Sequence, residues 1–202
     1  MTAAKPEGET AGRGTGRCRL ALPVVLIGLM GAGKTSVGLR LADMLGVPFR
    51  DSDSEVEEAA GMSIPDIFAR FGEAHFRDGE RKVIARLLGE APSVLATGGG
   101  AYMNEATRAL IGERAVAVWL KADLDLLASR TAGRSHRPLL NTGDPRAVLA
   151  RLKAEREPVY AEAAVHVESL PGQSHEAMAT RILEALAHWQ KESGRTVLER
   201  TP

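Results

Sequence analysis

The chain has 202 residues, 44% of them hydrophobic, which is enough for one domain with a sizeable core and excludes wholesale disorder. Its 26 Lys and Arg residues balance its 26 Asp and Glu residues, and this zero net charge argues against a protein that binds nucleic acid or a membrane. The single cysteine, Cys18, excludes an intrachain disulfide and predicts a cytoplasmic protein.

Both ends of the chain lack a hydrophobic period. Residues 1–19 are rich in Gly, Thr, Ala, Lys and Arg, which is typical of a disordered tail. Residues 191–202 are polar and predict a second, frayed tail. We therefore expect one folded domain over residues 20–190.

The first pattern inside the domain is a phosphate-binding loop. Residues 28–35 fit G-x-x-x-x-G-K-[ST], with a short apolar run before them and apolar side chains at helical spacing over residues 36–45. Glycines let such a loop turn its N–H groups toward phosphate, and the following helix points its positive dipole end at the same anion. The motif predicts that Lys34 reaches the β- and γ-phosphates and that the Thr35 hydroxyl binds Mg²⁺.

Two carboxylates end the next predicted strand. Residues 47–53 form a short strand, and its two-residue period places Asp51 and Asp53 on the same side. Beside a phosphate loop, such a pair suits a metal ion or a hydroxyl group. The alternative is that Asp53 or Ser54 only caps the helix that follows.

Three helical segments come next, over residues 55–60, 64–71 and 73–88. The second segment has an apolar face that we expect to be buried, formed by Ile64, Ile67, Phe68 and Phe71. In the third segment Arg77 and Glu80 stand three positions apart, close enough to pair. The alternative for Arg77 is a surface ion pair of little energetic value.

Three glycines, Gly98, Gly99 and Gly100, follow the strand predicted at residues 93–97. Ligands bind at the carboxyl edge of the sheet in open α/β folds. We therefore expect a ligand to approach this backbone closely, whereas the alternative is a flexible connection.

The rest of the chain continues to alternate between strands and helices. Residues 115–120 and 164–167 predict two strands, and residues 104–111, 123–129, 144–156 and 175–190 predict four helices, the third of which ends before Pro158. Residues 130–143 break the pattern with three arginines and predict a mobile lid, the alternative being a solvated charged loop. The alternation predicts a three-layer α/β/α sandwich around a parallel sheet.

Taken together, these segments resemble the shikimate kinase family of the nucleoside-monophosphate-kinase-like group. The matching stretches run in family order: residues 28–36, 49–53, 61–68, 72–77, 97–100, 137–140 and 156–160. The resemblance implies a five-stranded parallel sheet of order 2-3-1-4-5, a helical substrate-binding insertion at about residues 51–90 and a lid at about residues 130–143. It also implies ATP-dependent phosphorylation of the 3-hydroxyl of shikimate, which gives shikimate 3-phosphate and ADP.

The resemblance further implies roles for individual residues. Asp53 is implied as the base at the 3-hydroxyl, with Lys34 and Arg137 as further catalytic residues. Asp51 is implied to contact Mg²⁺ through water, beside the direct ligand Thr35. The implied ATP-binding residues are Gly31, Ala32, Gly33, Lys34, Thr35, Ser36, Arg130, Arg137 and Gln173. The implied shikimate-binding residues are Asp53, Arg77, Gly98, Gly99, Gly100 and Arg156, of which the last and Arg77 hold the carboxylate.

The implied partners are shikimate, ATP and Mg²⁺, bound by a monomer. Two alternatives stay open at this point. One is a related small-molecule kinase, such as a gluconate kinase, which would keep the phosphate loop without the set Asp53, Arg77, Gly99 and Arg156. The other is a nucleotide-binding regulatory module without catalysis, against which the complete catalytic set argues.

Overall fold

The computed structural model describes residues 18–132 and 144–200. Residues 1–17 and most of the predicted lid, including Arg137, lie outside the described residues. The strands are β1 (Cys18–Leu20), β2 (Val24–Ile27), β3 (Phe49–Asp51), β4 (Val94–Ala96), β5 (Val116–Ala122), β6 (Val165–Ser169) and β7 (Leu198–Arg200). The α-helices are α1 (Lys34–Leu45), α2 (Ser52–Ala60), α3 (Ile64–Leu87), α4 (Glu105–Arg114), α5 (Leu124–Thr131), α6 (Pro145–Tyr160) and α7 (His175–Ser193), and a 3₁₀ helix covers Ala101–Met103.

Five parallel strands form the central sheet of the described chain, in the order β3-β4-β2-β5-β6. Counted within this sheet alone, the order is 2-3-1-4-5, so the predicted topology is confirmed. All four residues of β2 are buried because helices cover both faces of the sheet, with α1 packed against α7. This three-layer α/β/α arrangement brings the carboxyl ends of β2, β3 and β4 to one edge.

The two chain ends differ from the expected tails. β1 and β7 pair antiparallel, with Cys18 opposite Arg200 and Leu20 opposite Leu198. Val197 is fully buried, and the Gln190 side chain accepts hydrogen bonds from the N–H groups of Val197 (2.8 Å) and Leu198 (2.7 Å). The expectation that residues 191–202 are frayed is therefore wrong for residues 191–200, and Cys18 lies in a strand.

The region between β3 and β4 also differs in detail. Asp51, and neither Asp53 nor Ser54, caps α2, because its side chain accepts a hydrogen bond from the N–H of Asp53. Asp51 ends the strand and Asp53 lies in the first helical turn, so the predicted strand period does not relate them. α3 joins the two predicted helices across a break at Gly72, where φ is 79° and ψ is 173°.

The predicted apolar face of the first half of α3 is only partly buried. Ile67 is 4% exposed, whereas Phe68 and Phe71 are 36% and 52% exposed. Phe68 instead stacks on Phe76, with ring centroids 4.7 Å apart. The expectation that this face is buried is therefore wrong for Phe68 and Phe71.

Helix α6 continues past the predicted stop at Pro158 and ends at Tyr160. A proline in the final turn removes one backbone hydrogen bond without blocking the residues after it. The buried Tyr160 side chain holds this end of the helix in the core.

Among the residues that the structure describes, no helix combines the length and the apolar character needed to cross a membrane.

Candidate active site

The phosphate loop connects β2 to α1 as the motif predicts. Gly31 and Gly33 have φ values of 85° and 94°, which a residue with a side chain rarely adopts. A Cβ on Gly31 would also stand 3.0 Å from the Thr131 methyl group. The glycines are thus needed for the turn that precedes α1, whose N-terminus is a site for anions.

Lys34 and Thr35 begin α1 at the carboxyl edge of the sheet. The Lys34 ammonium donates hydrogen bonds to the carbonyls of Gly28 (2.7 Å) and Leu29 (3.1 Å) within the loop. The Thr35 hydroxyl donates to Oδ2 of Asp51 at 3.2 Å. The other carboxylate oxygen of Asp51 caps α2, so one carboxylate joins the phosphate loop to the next helix.

The pair Thr35 and Asp51 has the chemistry of a Mg²⁺ site, since both present oxygen atoms. Among the described residues, no three His, Cys, Asp or Glu side chains cluster closely enough to hold a metal ion by themselves. Mg²⁺ commonly takes one or two protein oxygens and completes its shell with water and phosphate. The two side chains therefore fit the ion in the presence of a nucleotide.

Asp53 lies in the first turn of α2. Burial raises the pKa of its carboxyl, and the negative charge of Asp51 raises it further. The positive charges of Lys34 and Arg77 act in the opposite direction. One cation from the phosphate loop and one from α3 therefore both act on the Asp53 carboxylate.

The glycine run after β4 brings three functional side chains together. A Cβ on Gly98 would stand 2.6 Å from Oδ1 of Asp53, and one on Gly99 would stand 3.0 Å from Nη1 of Arg156. A Cβ on Gly100 would stand 2.7 Å from Nη2 of Arg77. Each glycine thus leaves the space that one of these side chains occupies.

Arg77 is held by two carboxylates of its own helix. Its guanidinium pairs with Glu80 at 2.8 Å and with Glu73 at 3.3 Å. Glu80 is only 3% exposed, and burial raises the pKa of its carboxyl, while the hydrogen bond and charge of Arg77 lower it. Its Oε1 has no hydrogen-bond partner among the described residues and lies near Gly98.

Sequence analysis therefore missed Glu80 as a site residue. Its spacing from Arg77 indicated an ion pair, and the alternative was a pair on the surface. The pair is partly buried instead, because Glu80 faces the sheet edge. The burial of Glu80 is what identifies it as a site residue, and the spacing of residues along the helix does not show burial.

A separate cleft of ≈ 240 Å³ borders the phosphate loop at Gly31 and Gly33. It includes the predicted adenine-side residues Arg130 and Gln173, together with Lys34, Thr35 and Ser36. Arg130 donates a hydrogen bond to the buried Ser169 hydroxyl at 2.9 Å, which fixes its guanidinium at the cleft. Sequence analysis did not identify Ser169, Ser174, His175 or Met178, which also line the cleft.

The structure thus brings together two groups of the predicted residues. The phosphate loop, Arg130 and Gln173 surround the cleft, while Asp53, Arg77, Arg156 and the three glycines surround the adjoining site. Ala32 is 1% exposed, and its N–H donates a hydrogen bond to the Leu29 carbonyl at 3.2 Å. Arg137, the remaining predicted residue, lies outside the described residues.

Comparisons with known proteins agree with this arrangement. The family model described as shikimate kinase matches residues 30–187. A curated shikimate kinase from Novosphingobium aromaticivorans is 54% identical over 175 residues, covering 85% of this chain and 90% of the relative. One from Caulobacter vibrioides is 63% identical over 149 residues, covering 74% of each chain.

Solved structures show the same similarity. Shikimate kinase from Acinetobacter baumannii, in complex with shikimate, is 39% identical, with a TM-score of 0.78, and the match covers 83% of this chain and 94% of that one. A gluconokinase from Sinorhizobium meliloti is 19% identical, with a TM-score of 0.60 and coverage of 87% and 97%, and shares the fold alone. The sequence match over most of the domain decides between them: this chain belongs to the shikimate kinase family.

Proposed function

We propose that this chain transfers the γ-phosphoryl group of ATP to the 3-hydroxyl of shikimate, with Asp53, Arg77 and Arg156 as the residues that recognise the acceptor. Membership of the shikimate kinase family supports the reaction. The observation that carries the residue roles is the convergence of one carboxylate and two guanidinium groups on Gly98, Gly99 and Gly100, beside the phosphate loop.

Asp53 is the proposed base. A carboxylate can orient the attacking hydroxyl and accept its proton as the bond to phosphorus forms. Its partly buried position raises its pKa, which makes the carboxylate a better proton acceptor than an exposed one. The positive charges of Lys34 and Arg77 oppose this rise without cancelling it.

Arg77 and Arg156 are the proposed clamp for the shikimate carboxylate. A guanidinium presents parallel N–H groups that match both oxygens of a carboxylate, and an ammonium group does not. Glu73 and Glu80 pair with Arg77, and its guanidinium occupies the space that Gly100 leaves by having no side chain. The two arginines come from different helices, α3 and α6, so the clamp depends on how these helices pack.

The phosphate loop is the proposed site of the ATP phosphates. Its N–H groups and the N-terminus of α1 stabilise their negative charge, and Lys34 exchanges its loop carbonyl contacts for phosphate oxygens. Thr35 would hold Mg²⁺ directly and Asp51 would hold it through water; the ion would neutralise phosphate charge. Arg130 and Gln173 would contact the adenine. Arg137 would reach the phosphates, although it lies outside the described residues.

The same proposal covers the organisation of the molecule. Residues 51–90 form the substrate-binding insertion, and residues 130–143 form the lid. The enzyme works as a monomer in the cytoplasm, and its single cysteine supports that location. Light scattering on a sizing column would test the monomer, and a dimer mass would contradict it.

An ADP-release assay with shikimate, quinate and gluconate side by side tests the function. We expect ADP release with shikimate and a product heavier by one phosphoryl group, which mass spectrometry detects. Lys34→Ala and Asp53→Asn should nearly abolish the reaction and keep the circular dichroism spectrum of the folded protein. Equal turnover of gluconate, or normal turnover by either folded variant, would contradict the proposal.

A further inference from the structure

The carbonyl groups of the glycine run are held in two different ways. Gly98 and Gly100 accept hydrogen bonds from the backbone N–H groups of Ala101 and Met103, each at 3.1 Å, as the 3₁₀ helix begins. The carbonyl of Gly99 accepts a hydrogen bond from the Tyr160 hydroxyl instead. A side chain at the end of α6 therefore orients the middle peptide of the run.

Tyr160 is well placed to hold this peptide rigidly. It is 1% exposed, and its ring packs near those of Trp119 (centroids 6.1 Å apart) and Tyr102 (6.5 Å). Three elements, β5, α6 and the 3₁₀ helix, thus fix the ring. The hydroxyl is therefore held at the Gly99 carbonyl and also forms a hydrogen bond with the Arg156 side chain.

The hydroxyl also lies beside the Arg156 guanidinium, one helical turn earlier on α6. A Cβ on Gly99 would stand 3.0 Å from Nη1 of Arg156 and 3.7 Å from the Tyr160 hydroxyl, so both groups border the same small space. Burial raises the pKa of Tyr160 and the positive charge of Arg156 lowers it, which also indicates that the two groups are close.

From this geometry we infer that Tyr160 is a positioning residue, which sets the place of Arg156 by orienting the Gly99 peptide against which that guanidinium packs. The inference rests on the proposed function, in which Arg156 holds the shikimate carboxylate. Tyr160 does not touch the acceptor in this scheme. It acts through Arg156 and Gly99.

Removal of the hydroxyl leaves the Gly99 carbonyl without its donor while the packed ring remains. The loss of one buried hydrogen bond predicts that Tyr160→Phe raises the KM for shikimate about tenfold. The KM for ATP should change less than twofold, because Tyr160, Gly99 and Arg156 are not among the residues that line the nucleotide cleft. Tyr102→Phe is the matched control. The Tyr102 ring packs near Tyr160 itself, and the Tyr102 hydroxyl has no hydrogen-bond partner among the described residues.

A double-mutant cycle tests whether Tyr160 acts through Arg156. In the Arg156→Ala background, Tyr160→Phe should lower kcat/KM for shikimate less than twofold, because the group it positions is gone. Full additivity of the two changes would overturn the inference, as would an unchanged shikimate KM in Tyr160→Phe or an equal rise in the KM for ATP.

Two further measurements keep the outcomes separate. If Tyr160→Phe does not fold, Gly99→Ala provides the second variant, because its Cβ would displace Arg156 from the same space, and it should raise the shikimate KM alone. Calorimetric titration with shikimate, without nucleotide, checks binding apart from turnover. A wild-type enzyme that does not phosphorylate shikimate would overturn the proposed function and the inference together; one that does, with normal Tyr160→Phe kinetics, overturns the inference only.

Discussion

Gly98 and Asp53 lie so close that a Cβ on the glycine would stand 2.6 Å from the carboxylate oxygen Oδ1 of Asp53. The same Cβ would stand 3.1 Å from Oε1 of Glu80. Two acidic side chains therefore reach the sheet edge only because position 98 has no side chain. The position of the proposed base is set from β4 as well as from its own helix.

Gly98→Ala should consequently lower kcat while the protein stays folded. The methyl group pushes the Asp53 carboxylate out of line, and a displacement of about 1 Å in a reacting group costs roughly 100-fold in rate. Steady-state kinetics and a thermal melt measure the two effects. Gly79→Ala is the control, since a Cβ there meets nothing within 4 Å and should leave kcat unchanged. A wild-type kcat in Gly98→Ala would show that the Asp53 carboxylate does not depend on the space that Gly98 leaves.

Asp53→Asn should have opposite effects on rate and on stability. Loss of the base lowers kcat by about 100-fold or more. Because the pKa of Asp53 is raised on folding, the folded state holds more protons between the unfolded and folded pKa values, and its stability falls as the pH rises through that window. The cost is fully present once the pH exceeds the folded pKa of Asp53, so above that pH the variant should melt at a higher temperature than the wild type.

This gain in melting temperature should shrink as the pH is lowered below the pKa of the unfolded aspartate, where the wild-type carboxyl is protonated in both states. Melts at pH 7 and at about pH 3 measure it. Glu58→Gln, on an exposed position of the same helix, controls for the loss of a carboxylate and should change neither property. A variant that is less stable at neutral pH would show that Asp53 is stabilising in the folded state.

Arg77→Lys and Arg156→Lys should each raise the KM for shikimate about tenfold, although the positive charge is kept, because an ammonium group lacks the paired N–H groups. The KM for ATP should stay within twofold of the wild type. Arg81→Lys on α3 and Arg151→Lys on α6 are matched controls, since both arginines form exposed ion pairs on the same helices. Unchanged shikimate binding by titration would refute the clamp.

Truncation after Ser193 should destabilise the domain without changing its kinetics. It removes the fully buried Val197 and leaves the Gln190 side chain without its two N–H donors. Exposure of one such apolar side chain costs about 1.5–3 kcal/mol, which corresponds to a melting temperature lower by several degrees. A truncated protein as stable as the full chain would mean that residues 194–202 add nothing to the core.

The centre of the sheet could be predicted from sequence because β2, β4 and β5 are nearly continuous apolar runs, each followed by a turn and a helix. The pairing of β1 with β7 could not, because two three-residue strands at opposite ends of the chain carry no local signal. Helix α6 shows the same limit of local sequence signals. Pro158 predicts that the helix ends before it, whereas the packing of Tyr160 in the core extends the helix to Tyr160.

The site shows a similar division. Asp53, Arg77 and Arg156 follow from the family motifs, and the structure explains why the motif glycines must accompany them. Glu80, Ser169 and Tyr160 act through burial and through contacts between distant elements. Such roles depend on which side chains the fold brings together, and spacing along one helix does not reveal them.

The antiparallel pair of β1 and β7 also determines where a fusion partner or a tag can be attached to the protein. Arg195, just before β7, donates hydrogen bonds to the carbonyls of Gly112 and Glu113, immediately ahead of β5. Both described ends therefore emerge side by side at the amino edge of the sheet, opposite the glycine run. A fusion partner or an immobilising tag at either end should leave the substrate entrance unobstructed.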